Sequence, residues 1–528
     1  MRLLLLCVGL LLGSSVRGQL PFTDSHLPII RITTTGTIPD EPKVMATLEV
    51  VDNGPAALNY PDDPATGYAG YIGIERRGQS SLNWPKRSYG IETRLADGSN
   101  NNVPLLGLPA ENDWVLHAPY HDRSLLRNVF VYGLGRSLLG WSPRTRYVEL
   151  LLDGQYRGVY VLAEKIKRDA ARVRLDKLDA DDTTAPAITG GYLLKIDKGI
   201  DSTGVNHFKS TFRPGGTHPE ATVDVHFLYP KPGDINAAQR SYITDYFNAF
   251  ETALAGPDFA DPQRGYAAYA DVQSFVDYLI LSELTGNLDA YRVSTYFHKP
   301  RGGKLTMGPL WDYNFALGST LFCEADDVDR WRYAFNELCT GDRWLVPFWW
   351  QRLLEDPAFG RRVRARYTDW RAGPLHLDSL YARLNAQVDR LGAAAARDYA
   401  RWPGGRSNLP YTTTSHGEEV DELRDWLRRR LDFLDTHWRL TPPPPETSWR
   451  AQSGPARGPV TINYQLANAG PVQLRLYDVR GRLMHETETR LEAGLQQYAW
   501  AVFPPPGAYY LVWQLPGAAP ETQALVRY

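Results

Sequence analysis

The sequence predicts an α+β chain made of more than one folded unit. Three observations predict it. Residues before about 200 alternate apolar and polar side chains at the period of strands, residues 236–285 and 362–440 space them at the period of helices, and short alternating segments return after a run of prolines. At 528 residues the chain is also too long for a single hydrophobic core. A hydrophobic content of 43% and a charged content of 22% place it among soluble globular proteins. With a net charge of −2 there is no global field to recruit nucleic acid or an anionic membrane, so neither is expected as a partner. The 15 Trp and 30 Tyr favour well-anchored sheets and surfaces that stack on flat or sugar-like ligands.

The chain begins with Met1-Arg2 and the apolar run LLLLCVGLLLG, then SSVRGQ, with compact residues at Val16 and Gly18. This is the layout of a signal peptide over residues 1–18, cleaved before Gln19. The run is short for a membrane span, and no later stretch is a transmembrane candidate. The mature chain is therefore expected to be exported and soluble. Residues 19–69 read as a β-rich lead-in, because IIRITTT and KVMATLEVV alternate around a Gly/Pro turn.

From residue 70 the strands IGIERRG and RSYGIETRL flank the loop GQSSLNWPK. That loop carries Gly78, Ser80, Ser81 and Asn83 between Arg77 and the pair Lys86 and Arg87. A glycine, small hydroxyls and flanking cations can surround phosphate oxygens. An ordinary polar hairpin loop has the same composition. DRSLLRNVFVYGLGRSL is helical by spacing, with Asp122 placed as its N-cap. RTRYVELLLDGQYRGVYVLAEKI is a hairpin turning at Asp153-Gly154. Glu164 ends its second strand amid Lys165, Lys167 and Arg168, a pattern that a solvated strand end also gives. GGYLLKIDK is a strand carrying Lys195, and residues 201–240 read as irregular surface. NAAQRSYITDYFNAFETAL, DVQSFVDYLILSELTG and residues 362–440 are helical, with mixed charges on a solvated face. The aromatics of DRWLVPFWWQRLLEDPAF fit a buried helix face better than a ligand platform.

Two acids stand in unlike settings. Asp289 ends the apolar run SFVDYLILSELTGNLD, and Asp312 lies in PLWDYNF, beyond a Gly-rich turn and a short β-type run. The interval holds one hairpin, so a chain that goes out and back brings both carboxylates to one place. A base that orients a nucleophile and a carboxylate that holds a cation are what phosphoryl transfer requires. A helix cap at Asp289 and a turn at Asp312 fit the same spacing.

Cys7 falls in the signal segment, which leaves Cys323 and Cys339. In an oxidising compartment such a pair closes a disulfide, worth about 3 kcal/mol in the chain-entropy treatment. No CxxC and no His/Cys cluster suggests a structural zinc site. Residues 441–452 read as a stiff linker around Pro442–Pro445. Residues 453–528 hold five to seven short strands, VTINYQLANAG, VQLRLYDVRGR, QQYAWAVFPPPG, AYYLVWQL and TQALVRY among them, and read as a small β-sandwich.

The ordered segments RRGQSSLNWPKRSYGIE, DWVLHAPYHDRSLLRN, YVELLLDGQYRGVYVLAEKI, GGYLLKIDK, NLDAY and PLWDYNF resemble the CotH kinase family of spore-coat kinases and their secreted relatives, over residues 70–440. The resemblance implies an atypical protein-kinase-like catalytic domain that uses ATP and a divalent metal, Mg²⁺ or Mn²⁺, to phosphorylate protein hydroxyls. Asp289 resembles the family's catalytic aspartate, and Asp312 its metal-binding aspartate. Arg77, Ser80, Ser81, Lys86, Glu164 and Lys195 match positions placed near the nucleotide. Ser294 stands where a second metal ligand is often Asn, and Asn314 where the family motif carries a second acid. One carboxylate fewer weakens a Mg²⁺ site, so a catalytically weak or inactive ligand-binding adhesin on the same fold is the alternative reading. The tail, through LYDVRGRLM and PPGAYYLVWQL, resembles a type IX secretion sorting domain. That resemblance implies passage through the periplasm, the type IX machinery as partner, and a secreted or cell-surface product.

Overall fold

The structure, a computed structural model, describes residues 22–199, 204–216, 218–403, 413–439, 448–453, 459–466, 468–502 and 504–527. The signal segment 1–18, the cleavage point at Gln19 and the prolines Pro442–Pro445 lie outside the described residues. Helix and strand are both abundant, so the chain is α+β, and it divides into two compact units between Trp438 and Arg439. No described helix is long and apolar enough to cross a membrane.

The first unit opens with a barrel. Its strands are β1 (Ile29–Thr34), β2 (Val44–Val51), β3 (Ala69–Arg77) and β4 (Ser88–Arg94), then, after the small hairpin β5 (Val103–Leu105) and β6 (Leu108–Glu111), β7 (Asp113–His117), β8 (Thr145–Leu152) and β9 (Gln155–Glu164). The order is β1-β2-β3-β4-β7-β9-β8, and the parallel pairing of β8 with β1 closes it. The alternation that marked these segments as strands also sorts their faces. Ile72, Ile74, Ile91, Trp114, Leu116, Tyr160 and Leu162 fill the interior. Asp153 and Gly154 join β8 to β9 with φ of 51° and 71°, as a two-residue hairpin turn requires. The expected β-rich lead-in, residues 19–69, supplies β1 and β2 as barrel strands, because their ladders run to β3 and β8.

Between β7 and β8 runs α1 (Arg127–Leu138). Asp122 is not its N-cap, a position held by Leu126. The Asp122 carboxylate nevertheless accepts the N–H of Arg127 at 2.9 Å and pairs with its guanidinium at 2.7 Å.

A second sheet contains β10 (Tyr192–Ile196), β11 (His207–Lys209), β12 (Asp224–Tyr229), β13 (Thr295–Lys299) and β14 (Thr306–Met307), in the order β11-β12-β10-β13-β14. The stretch 201–240, expected to be irregular, supplies β11 and β12. Their sequences are short, and pairing rather than local pattern makes them strands: β12 pairs with β10, and β11 with β12. Helices α2 (Ala237–Ala255) and α3 (Val272–Thr285) lie between β12 and β13. A reciprocal Asn236/Gln239 cap opens α2, and Asp271 caps α3. From Phe275 to Thr285 α3 is buried on every side, and it stops at Gly286, whose φ of 58° suits glycine. Then follow α4 (Phe335–Leu338), α5 (Trp349–Glu355), α6 (Pro357–Arg371), α7 (Leu377–Arg401) and α8 (His416–Trp438), which share one core with α1, α3 and the second sheet. Trp349 and Trp350 are buried in that core, as the helix-face reading expects. Cys323 and Cys339 are joined as a disulfide.

Among its described residues the second unit has seven strands: β15 (Ser448–Ser453), β16 (Val460–Leu466), β17 (Gly470–Asp478), β18 (Leu483–Leu491), β19 (Gly494–Trp500), β20 (Gly507–Gln514) and β21 (Glu521–Arg527). They form the sheets β15-β16-β19 and β18-β17-β20-β21, which share a core of alternate residues such as Ile462, Leu474, Leu476, Leu511 and Trp513. The end of the expected linker is instead strand β15, held by its ladder to β16 and by Trp449 stacked on Trp513 at 5.5 Å.

Candidate active site

A cleft of about 560 Å³ lies in the first unit, between the outer face of the barrel and the second sheet. Alternation selects its barrel wall. Glu75 and Arg77 of β3, Asp113, Val115 and His117 of β7, and Val161 and Ala163 of β9, with Lys165 just beyond, line it. Ile74, Leu116, Tyr160 and Leu162, even-numbered neighbours on β3, β7 and β9, point into the barrel. The opposite wall brings Lys195, Asp197, His226, Ser294, Tyr296, Asp289, Asp312 and Asn314. The two aspartates bracket the hairpin β13–β14, as their spacing suggests.

Asp289 follows the α3 stop. One of its oxygens pairs with Arg292 at 3.0 Å, and Arg292 is anchored in turn by Asp342 at 3.1 Å and the Trp344 carbonyl at 2.9 Å. Burial raises the Asp289 carboxyl above the usual carboxylate range, against the pull of Arg292 and Lys198. The result is an oriented carboxylate with enhanced basicity.

Asp312 is held differently. Its own N–H donates to the Tyr132 phenol oxygen at 3.0 Å, and the next N–H, of Tyr313, donates to Asn128 Oδ1 at 2.7 Å. Asn128 and Tyr132 stand four residues apart on α1, so one helix face grips two successive amides. The backbone of Asp312 is left-handed, with φ of 62°, and Ser294 has φ of 49°. Among the described residues no side chain hydrogen-bonds or pairs with the Asp312 carboxylate. Burial, then the charge of Asp289, push it up to about 7, while Arg77 and Lys195 pull it down.

The donor set can be compared with what a hard divalent cation needs. Among the described residues no three His, Cys, Asp or Glu side chains form a metal-holding group. Mg²⁺ does not require one, since it takes one or two carboxylates and completes its shell with water and substrate phosphates. The unpaired Asp312 carboxylate fits that pattern. So does Asn314 Oδ1, which is buried without a hydrogen-bond partner. Both line the cleft, with the Ser294 hydroxyl as a third oxygen on the same wall.

Arg77, Ser81 and Lys195 also line the cleft. Arg77 lies over the Trp311 ring, 5.6 Å from its centroid, and Lys195 pairs with Asp197 at 2.5 Å. Gly78 has φ of +124°, and a Cβ there would fall 1.9 Å from Ser81 Oγ, so only glycine lets this loop close. Ser80 sits beside Ser81 in a short 3₁₀ turn, and its side chain lies outside the described residues.

Two expected nucleotide contacts are not in the cleft. Lys86 is buried against α7, with Nζ 2.5 Å from Asp398 Oδ1 and over the Tyr160 ring. Glu164 is one residue out of phase with the lining residues Ala163 and Lys165, and it faces away. Its carboxylate takes the Arg144 guanidinium at 2.6 Å and lies 3.8 Å from Arg172.

Several lining residues carry no mark in the local sequence. His117 is pushed down to about 4 by burial and is neutral at physiological pH, with Asn128 Nδ2 3.2 Å from its Nε2. Trp311 stacks on Tyr132 at 5.8 Å. Asp197 alone had a legible signal, since it shares a strand face with Lys195 two residues earlier.

A family model described as CotH kinase protein matches residues 74–434, from within β3 into α8. No curated protein matches the chain.

Proposed function

Since the chain belongs to the CotH kinase family, we propose that it is an ATP- and metal-dependent kinase that transfers phosphate to a hydroxyl of a protein substrate. The observation that carries this reading is the pair of unlike aspartates in one cleft: Asp289 oriented by an arginine, Asp312 unpaired and raised to about 7. Asp312, with Asn314 and Ser294, would hold a divalent cation, whose charge offsets that of the triphosphate. Arg77, Ser81 and Lys195, which line the same cleft, would meet the phosphate oxygens, with Ser80 as a neighbouring candidate. Asp289 orients the acceptor hydroxyl and takes its proton as the new O–P bond forms and the bond to ADP breaks. Burial supports this role, because a raised carboxyl is a better base at neutral pH.

One observation favours a second reading. Ser294 and Asn314 stand at two ligand positions where charge or a stronger donor would bind the metal better, which suits an adhesin that binds on this fold without turnover. Titrating the purified chain with ATP and Mg²⁺, then following labelled phosphate into protein, separates the two. Transfer supports the kinase, and absence of nucleotide binding supports the adhesin.

The signal segment and the β-rich second unit support export. In this reading the second unit is a β-sandwich that acts as a type IX sorting domain, and the kinase unit is released or displayed at the cell surface.

A further inference from the structure

The cations beside the two aspartates are not equally engaged. Lys195 pairs with Asp197, Arg292 with Asp289 and Asp342, and Arg77 lies over Trp311. Lys198 also lines the cleft, yet among the described residues no carboxylate pairs with it. Its ammonium lies 4.4 Å from the centroid of the Trp344 ring, and Trp344 is 40% exposed. The Trp344 backbone is tied to the same frame as Asp289: its carbonyl accepts from Arg292 at 2.9 Å and its N–H donates to Asp342 at 2.9 Å. The cations that offset burial are Arg77 and Lys195 at Asp312, but Arg292 and Lys198 at Asp289. Lys198 therefore belongs to the Asp289 end of the cleft, with Trp344 beside it at the rim.

We infer that Lys198 and Trp344 form the acceptor-side subsite, and that it takes an acidic protein segment whose carboxylate meets Lys198 while its apolar atoms cover the indole. The inference rests on the kinase reading, which makes Asp289 the acceptor end. An ammonium with no carboxylate paired to it among the described residues, beside an exposed aromatic face, attracts the opposite charge and repels basic segments.

The test measures the affinity of the purified chain, without nucleotide, for three fluorescent peptides carrying one serine flanked by acidic, basic or alanine residues. The acidic peptide binds tightest. Lys198→Ala weakens it by roughly three- to tenfold, Lys198→Arg restores it, and Lys198→Glu reverses the preference. Mg-ATP affinity stays unchanged in Lys198→Ala, with melting curves as the control for folding. Equal binding of the three peptides, or a preference for the basic one, overturns the inference. So does a loss of Mg-ATP affinity in Lys198→Ala, which would place this cation on the phosphates. Charge-dependent binding without phosphate transfer to any peptide supports the subsite and counts against the kinase reading alone.

Discussion

The phenol oxygen of Tyr132 accepts the N–H of Asp312 at 3.0 Å, so α1 fixes the backbone of Asp312 while its carboxylate stays free for the cleft. Asp289 has the reverse arrangement, with its carboxylate itself held by Arg292. This difference makes the two acids separable by experiment.

Asp312→Ala is expected to abolish metal-dependent ATP binding, because the triphosphate then meets the protein without its cation. Asp289→Ala is expected to leave ATP binding nearly intact and to lower turnover by ~10²–10⁴. Nucleotide titration of both variants beside the parent, with melting curves, checks this. Equal loss of melting temperature with no change in binding would make both acids structural.

Asn314 Oδ1 and the Ser294 hydroxyl are neutral donors on the Asp312 wall. The double variant Ser294→Asn, Asn314→Asp should bind Mg²⁺ more tightly, and the parent should favour Mn²⁺, which accepts less regular coordination. Calorimetry with each metal measures it, and an unchanged affinity in the double variant removes both residues from the metal shell.

The Cys323–Cys339 disulfide closes the segment that leads into Asp342 and Trp344. Replacing both cysteines by serine should cost about 3 kcal/mol of stability and lower activity more than a remote change of equal cost, because Arg292 loses a fixed anchor. Denaturant melts and rates of the variant decide it. Free thiols in unfolded, unreduced protein would show that the bond does not form.

Glu251 on α2 is fully buried, 2.7 Å from the Ser210 hydroxyl and 2.8 Å from the Trp349 indole nitrogen, and burial pushes its carboxyl up to about 7. The folded value lies above the unfolded one. Its contribution is therefore complete below about pH 4.5 and is lost as pH rises through about 7, on the order of 3 kcal/mol. Stability curves from pH 4.5 to 8 should show this decline, and Glu251→Gln should flatten it. A parent whose stability does not fall over that interval contradicts the assignment.

If the second unit directs export, the product from the native host begins near Gln19 and lacks most residues after Pro445. Intact mass reads both ends, and a secreted form that still carries Tyr528 would end the sorting role.

Local periodicity in the sequence determined the barrel strands other than β7, the hairpin turn at Asp153-Gly154, the stop of α3 at Gly286 and the hairpin that brackets Asp289 and Asp312. These features depend on neighbours within a few residues, and periods of two and 3.6 report them directly. Tertiary structure alone decided which charged residues meet in the cleft. Lys86 turns away because its partner, Asp398, is 312 residues distant, and Glu164 because barrel closure gave the cleft to the alternate face of β9. The grip of Asn128 and Tyr132 on Asp312 and Tyr313 arises only once α1 packs beside them. A side chain's type and phase are written locally. The surface it faces is set by long-range pairing, which no window of the sequence contains.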